Sequence, residues 1–181
     1  LVNSFGTIVM AAFSAAVKID SFAYMPVQDF GNAFSTFVAQ NYGAGRKERI
    51  REGIKNAVLL VLIFCLLISA GVFIFAKPLL LLFVKPQETE ILAVGISYLR
   101  IEGSFYFLIG FLFLFYGFYR AIKKPGMSVI LTAASLGSRV ILAYILSAVP
   151  WIGVTGIWAA VPIGWLLADG IGYLYYRRRV R

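Results

Sequence analysis

The sequence contains no histidine and a single cysteine, Cys65, among its 181 residues. Zinc sites, haem ligation and Cys–His or Ser–His catalysis depend on those side chains, so their scarcity argues against all three. One cysteine cannot form a disulfide within the chain, and the apolar neighbours of Cys65 indicate a small buried side chain. The sequence also shows no nucleophile–base pair, metal cluster or phosphate-binding loop, so we do not expect an enzyme.

Charge is also scarce, because charged residues make up 14% of the chain and hydrophobic residues 61%. A soluble domain carries roughly a quarter charged residues, so this composition calls for an apolar solvent, the lipid bilayer. The net charge is +9, but 12 of the 17 basic residues lie in three short clusters between or after apolar runs. Since no basic face with interleaved aromatics is present, we expect no nucleic-acid partner.

Five apolar segments are long enough to cross a membrane: residues 8–41, 55–77, 91–119, 127–149 and 154–176. A helical span needs roughly 20 mostly apolar residues. The first segment contains Pro26 and is predicted to form one long, kinked helix. Residues 1–6 are too short to span, and we interpret them as the tail of a helix whose upstream part is absent. The predicted fold is all-α: a polytopic membrane helix bundle, with residues 1–181 as one transmembrane lobe.

The distribution of basic residues predicts the orientation of the bundle. The three basic clusters, at residues 46–55, 120–124 and 177–181, fall at alternate ends of the predicted spans. The opposite ends carry only Lys77 and Lys85, offset by acidic residues. By the positive-inside rule, the first full span runs from outside to inside. We therefore expect a multi-pass protein of the cell (inner) membrane with a cytoplasmic C-terminus.

Polar side chains at membrane depth are the candidate functional residues, because a charge there costs at least about 2.5 kcal/mol. Glu102 is the best candidate for a proton or cation site, since its helix is otherwise filled with Phe, Leu and Gly. Structural ion pairs and solvation at the interface are the alternative readings. Asp169 is expected to anchor the cytoplasmic end of the last helix rather than to bind substrate. The candidates for a substrate or ion cavity are Glu102, Asp20, Asp29, Gln28, Lys18, Tyr106 and Arg139.

Short motifs recur along the chain in a recognisable order: Lys18-Ile19-Asp20, Met25-Pro26, Phe30-Gly31-Asn32-Ala33, Ala39-Gln40-Asn41-Tyr42-Gly43-Ala44-Gly45, Tyr98-Leu99-Arg100-Ile101, Tyr119-Arg120-Ala121 and Gly156-Ile157-Trp158. Their order and spacing resemble the multidrug and toxic compound extrusion (MATE) family over nearly the whole chain. The Gln-Asn-x-Gly-Ala-Gly stretch at the end of a long helix is the most specific of them.

The resemblance implies the C-terminal lobe of a twelve-helix antiporter, with helix seven truncated and helices eight to twelve complete. Such a lobe works with an N-terminal lobe of the same chain, which is missing here. The implied activity is export of small cationic drugs or metabolites in exchange for H⁺ or Na⁺, with no cofactor beyond that ion. Many members carry an acid where this chain has Ile109, and Glu102, two turns earlier, is the expected substitute.

Two other functions remain open from the sequence. A lipid-linked oligosaccharide flippase of the same superfamily carries a pyrophosphate cargo and favours several Arg or Lys in its cavity. Only Lys18, Arg100 and Arg139 are available for that role. A non-transporting membrane subunit fits the pattern of spans, but it does not explain the acids within them.

Overall fold

The computed structural model describes residues 1–179 and shows a bundle of six α-helices after one short 3₁₀ helix, which confirms the all-α fold. The 3₁₀ helix covers Val2–Phe5. The α-helices are α1 (Thr7–Gly43), α2 (Lys47–Leu80), α3 (Thr89–Gly103), α4 (Tyr106–Ala121), α5 (Pro125–Ser147) and α6 (Val154–Arg179).

Four of these helices, α1, α2, α5 and α6, are long and apolar enough to cross a membrane. Helices α3 and α4 are too short singly, but together they would make a fifth span with a bend of 51°. The structure therefore differs from the single helix predicted over 91–119, because that helix breaks at Ser104 and Phe105. Phe105 has non-helical backbone angles, so Glu102 lies at the end of α3 and Tyr106 begins α4 on the other side of the bend.

Helix α2 also bends, and its sequence explains where. Phe75 has φ −95° and ψ 16°, outside the helical range, three residues before Pro78. The proline ring lacks an N–H and clashes with the carbonyl group four residues earlier, which opens the preceding turn. Helix α1 includes Pro26 and continues for 37 residues, which at 1.5 Å per residue exceeds the roughly 30 Å of a hydrocarbon core.

Helices α1 and α4 cross in close backbone contact at Gly31 and Gly117. A Cβ on Gly117 would lie 2.5 Å from the carbonyl oxygen of Gly31, and a Cβ on Gly31 would lie 3.0 Å from the carbonyl oxygen of Phe113. Only glycine lets the two backbones approach this closely, as is common between membrane helices. Gly110 faces α2 in the same way, next to Val61 and Cys65.

The basic clusters collect at one end of the bundle, which we call the basic end: the α1–α2 turn, the α4–α5 turn and the end of α6. Arg120 Nη2 donates a hydrogen bond of 2.9 Å to Asn32 Oδ1 there, joining α4 to α1. Lys124 Nζ lies 5.2 Å from the ring centroid of Tyr175, joining the α4–α5 turn to α6. Gly45, with φ +67°, makes the sharp turn out of α1.

Candidate functional site

A cavity of about 410 Å³ lies between the 3₁₀ helix, α1, α3, α4, α5 and α6. Apolar and aromatic side chains form most of its wall. The charged and hydroxyl-bearing side chains that line it are Asp20, Tyr24, Tyr98, Glu102, Arg139 and Tyr144. A pocket with an apolar wall and a few convergent polar groups is the usual form of a small-molecule site.

Two buried carboxyl groups line this cavity. Asp20, on α1, is 3% exposed, and Glu102, on α3, is 4% exposed. The two side chains are near enough to interact with each other and with the hydroxyl group of Tyr98. Neighbouring carboxylates in an apolar environment repel each other, so such a pair binds protons or a cation readily.

Tyr106 holds Asp20 in place across the helix boundary. Its hydroxyl group donates a hydrogen bond to Asp20 Oδ1, and its side chain is 1% exposed. Glu102 is less completely satisfied, because its Oε1 atom has no hydrogen-bond partner within the described residues. A buried acceptor without a partner is costly to the fold.

Glu102 and Tyr106 lie on either side of the break between α3 and α4. Glu102 is next to the last residue of α3, and Tyr106 is the first residue of α4. Discontinuous helices near the middle of a membrane are typical of transporter ion sites, where helix ends replace part of the ion's hydration. Asp20 comes from α1, where the small residues Ala12, Ala15 and Ala16 are also buried.

Arg139, on α5, supplies the positive charge of the cavity. Its guanidinium carbon lies 5.8 Å from the ring centroid of Trp165, a cation–π distance, and its charge acts on Glu102. Its Nε atom has no hydrogen-bond partner among residues 1–179. With both acids ionised, Asp20, Glu102 and Arg139 together carry a net charge of −1.

An aromatic cluster forms another wall. The rings of Phe13 and Trp158 stack with centroids 5.5 Å apart and planes at 5°. Tyr98 meets both edge-on, at 5.6 Å from Phe13 and 5.0 Å from Trp158. Stacked and edge-on rings of this kind form a rigid, flat surface that suits planar or cationic ligands.

The structure brings together four of the seven candidates predicted from the sequence: Asp20, Glu102 and Arg139 line the cavity, and Tyr106 supports Asp20. It places the other three elsewhere. Lys18 is exposed, with Nζ 5.6 Å from the ring centroid of Phe83, and Gln28 and Asp29 are exposed on α1. These three remain predictions without a place in this cavity.

Sequence reasoning missed the aromatic part of the site. Tyr98 lies four residues before Glu102, on the same face of α3, so helical spacing from Glu102 was a usable signal. Phe13, Trp158 and Trp165 come from α1 and α6 and had no comparable local signal. Their positions depend on how the helices pack.

The model of the MatE family matches residues 1–145, which include both acids of the cavity and Arg139. The chain belongs to the MatE family, which is the multidrug and toxic compound extrusion family that its motifs resemble.

Similar MatE proteins and solved structures cover almost the whole chain. The probable multidrug resistance protein YpnP of Bacillus subtilis is 30% identical over 98% of this chain and 39% of its own length. The FAD transporter of Shewanella oneidensis is 30% identical over 94% of the chain and 37% of its own length. A MOP superfamily transporter from Pyrococcus furiosus superposes with a TM-score of 0.89 at 26% identity, covering 96% of this chain and 39% of that one. The chain thus spans about two fifths of the length of these proteins.

Proposed function

We propose that this chain forms one lobe of a secondary active antiporter in the cell (inner) membrane. The antiporter exports cationic drugs or metabolites in exchange for H⁺ or Na⁺. The observation that carries the proposal is the pair of carboxyl groups, Asp20 and Glu102, buried together in an aromatic-lined cavity. A charge at membrane depth costs at least about 2.5 kcal/mol, so an acid pair there points to a bound ion or substrate.

The charge balance of the cavity supplies the exchange mechanism. With both acids ionised, Asp20, Glu102 and Arg139 leave one uncompensated negative charge. One proton, one sodium ion or one monovalent organic cation neutralises it. Because any of them satisfies the site, binding of the coupling ion and binding of the cationic cargo exclude each other. Mutual exclusion of this kind is what antiport requires.

Anionic cargoes are the second candidate class. The Shewanella relative is named an FAD transporter, and the sequence also left open a flippase for lipid-linked oligosaccharides. Both cargoes carry a pyrophosphate group, which binds best to several Arg or Lys. Among the described residues that line this cavity, Arg139 is the one cation, and two acids stand beside it. The lining therefore favours a cation.

The proposal includes a second lobe and an orientation. The relatives are more than twice as long as this chain, and the resemblance assigns the remainder to an N-terminal lobe facing the same cavity. The basic end of the bundle is proposed to face the cytoplasm, by the positive-inside rule. In that orientation the loop between α2 and α3 and the loop between α5 and α6 lie outside.

Dye efflux from right-side-out membrane vesicles carrying the full-length protein tests this proposal. We would load the vesicles with ethidium and impose a pH gradient and a Na⁺ gradient separately. Transport driven by one gradient names the coupling ion. Transport under neither gradient would contradict export of an aromatic cation and move the proposal to an anionic cargo.

The acid pair is tested with Glu102→Gln and Asp20→Asn in the same vesicles. We expect each variant to lose gradient-driven efflux by tenfold or more, because one fewer ionisable group remains to exchange ion for cargo. Asp29→Asn is the matched control, since Asp29 is an exposed acid on α1 outside the cavity. Full efflux in both Glu102→Gln and Asp20→Asn would remove these residues from the mechanism.

A further inference from the structure

A second cavity, of about 350 Å³, lies on the far side of α4 from the first. Its lining comes from four helices: Phe34 of α1, Ile54 and Val58 of α2, Phe111, Leu114, Phe115 and Phe118 of α4, and Asp169, Tyr173 and Tyr176 of α6. Val58 of α2 and Tyr173 of α6 are 39% and 55% exposed, so the cavity is open at these two helices. No residue of the described chain lines both cavities.

Asp169 is the only acidic or basic side chain among the described residues that line this second cavity. It is 8% exposed, and neither Oδ1 nor Oδ2 has a hydrogen-bond partner within residues 1–179. Sequence reasoning expected Asp169 to anchor the basic end of α6. The structure places it about 12 Å along the helix from Arg177, among the residues that line the second cavity.

The wall beside Asp169 is well defined. The Tyr119 hydroxyl group donates a buried hydrogen bond of 2.6 Å to the carbonyl oxygen of Gly172, joining α4 to α6 one turn beyond Asp169. A Cβ on Gly172 would lie 3.1 Å from the ring of Phe115, so the two helices are in close contact there. The cavity is therefore enclosed by packed helices on this side and open on the other.

The chemistry of the lining indicates the ligand. Six aromatic residues line the cavity together with one carboxyl group that has no hydrogen-bond partner within residues 1–179: Phe34, Phe111, Phe115, Phe118, Tyr173 and Tyr176. Aromatic faces and a carboxylate both attract a cation, and a weakly hydrated organic cation loses little by leaving water. The volume lies at the lower end of the range for small-molecule pockets, roughly 300–1,000 Å³.

We propose that Asp169 and its aromatic neighbours form a second binding site, for a small aromatic or aliphatic ammonium ion, separate from the Asp20–Glu102 cavity. The carboxylate of Asp169 pairs with the ammonium group, and the rings enclose its apolar substituents. The ligand enters between α2 and α6. This site goes beyond the proposed transport function, because ligand binding here requires no exchange of ions.

Equilibrium dialysis of the purified full-length protein with benzyltrimethylammonium tests the proposal. In an Asp20→Asn, Glu102→Gln background, which removes the negative charge of the first cavity, Asp169→Asn keeps the size of the side chain and removes its charge, so we expect at least tenfold weaker binding of this cation. Neopentylbenzene has the same shape without the charge, and its binding should not change in that variant. Asp29→Asn, which removes an exposed acid, should bind the cation as the unsubstituted protein does.

A second variant keeps the test decisive if Asp169→Asn does not fold. Val58→Trp enlarges an exposed side chain at the mouth and should weaken binding of both the cation and its neutral isostere. Equal cation binding with and without Asp169→Asn in the Asp20→Asn, Glu102→Gln background would overturn the proposal. So would an equal loss of the cation and neopentylbenzene in Asp169→Asn, because the charge would then play no part. A phospholipid that co-purifies in the groove and prevents cation binding would overturn it as well.

The two sites are distinguished by the same measurement. Asp20→Asn and Glu102→Gln alter the first cavity and leave the lining of the second unchanged, so cation binding at Asp169 should persist in both. If efflux is absent but this binding remains, the transport proposal fails and the second site stands. If efflux is normal and Asp169→Asn binds the cation unchanged, the second site fails and the transport proposal stands.

Discussion

Tyr106 on α4 donates a buried hydrogen bond to Asp20 on α1, 86 residues away in the sequence. This bond joins the two helices at the level where α3 ends, next to Glu102. It makes Tyr106 a positioning residue for the acid pair, because its hydroxyl group orients the carboxyl group of Asp20.

Tyr106→Phe should therefore lower the stability of the full-length protein and weaken ion coupling together. The substitution leaves a buried acceptor on Asp20 with one partner fewer, which costs roughly 1–3 kcal/mol. Thermal unfolding in detergent would report the stability, and gradient-driven efflux would report the coupling. Tyr144→Phe is the matched control, since Tyr144 lines the same cavity but is 59% exposed. Identical behaviour of the two variants would deny Tyr106 this role.

Gly117→Ala should destabilise the bundle although alanine is the better helix former. The new Cβ would lie 2.5 Å from the Gly31 carbonyl oxygen, so α1 and α4 must separate, at a cost of about 1–3 kcal/mol. Gly137→Ala on α5 has no atom within 4 Å of the new Cβ and should be neutral or stabilising, by about 0.5–1 kcal/mol. The melting temperature should thus fall in Gly117→Ala and stay the same or rise in Gly137→Ala, and an equal fall in both would contradict the close crossing.

Arg139→Gln should slow transport by holding the cation too tightly. The substitution removes the positive charge beside Asp20 and Glu102, so the cavity attracts a bound cation more strongly. We expect a lower KM for ethidium together with a lower maximal rate, both measured by efflux from vesicles. Arg139→Lys keeps the charge, so its KM and maximal rate should lie between those of Arg139→Gln and the unsubstituted protein. Arg100→Gln is the control, because Arg100 is exposed and its guanidinium carbon lies 5.2 Å from the Phe73 ring centroid, outside the cavity. A raised KM in Arg139→Gln would reverse the assigned role.

Cys65 should not react with a maleimide reagent in the folded protein. Its side chain is 1% exposed and lies against the α4 backbone at Gly110, where a Cβ would come within 2.9 Å of the sulfur. We expect labelling only after the protein is unfolded in detergent such as sodium dodecyl sulfate, followed by mass spectrometry of the labelled peptide. Rapid labelling of the native protein at this residue would show that α2 and α4 separate.

The sequence was sufficient for the class of fold, and the reason is physical. Twenty apolar residues in a row need lipid, and lipid requires every backbone hydrogen bond to be made inside the helix. The run from Ala57 to Ala76 is an example, since it contains no charge and lies within α2. The motif ending at Gly45 likewise marks the end of α1, because that turn needs a positive φ.

Only the tertiary structure decided which polar residues share a site. Glu102, Asp20 and Arg139 come from three helices, and their meeting depends on the bend at Ser104 and Phe105 and on the close crossing of α1 and α4. Helical spacing says which residues share a face of one helix, but it does not say what that face meets. For this reason the sequence favoured Asp29 for a cavity and gave Asp169 only an anchoring role. In the fold, Asp29 is exposed, and Asp169 lines the second cavity with no hydrogen-bond partner within residues 1–179.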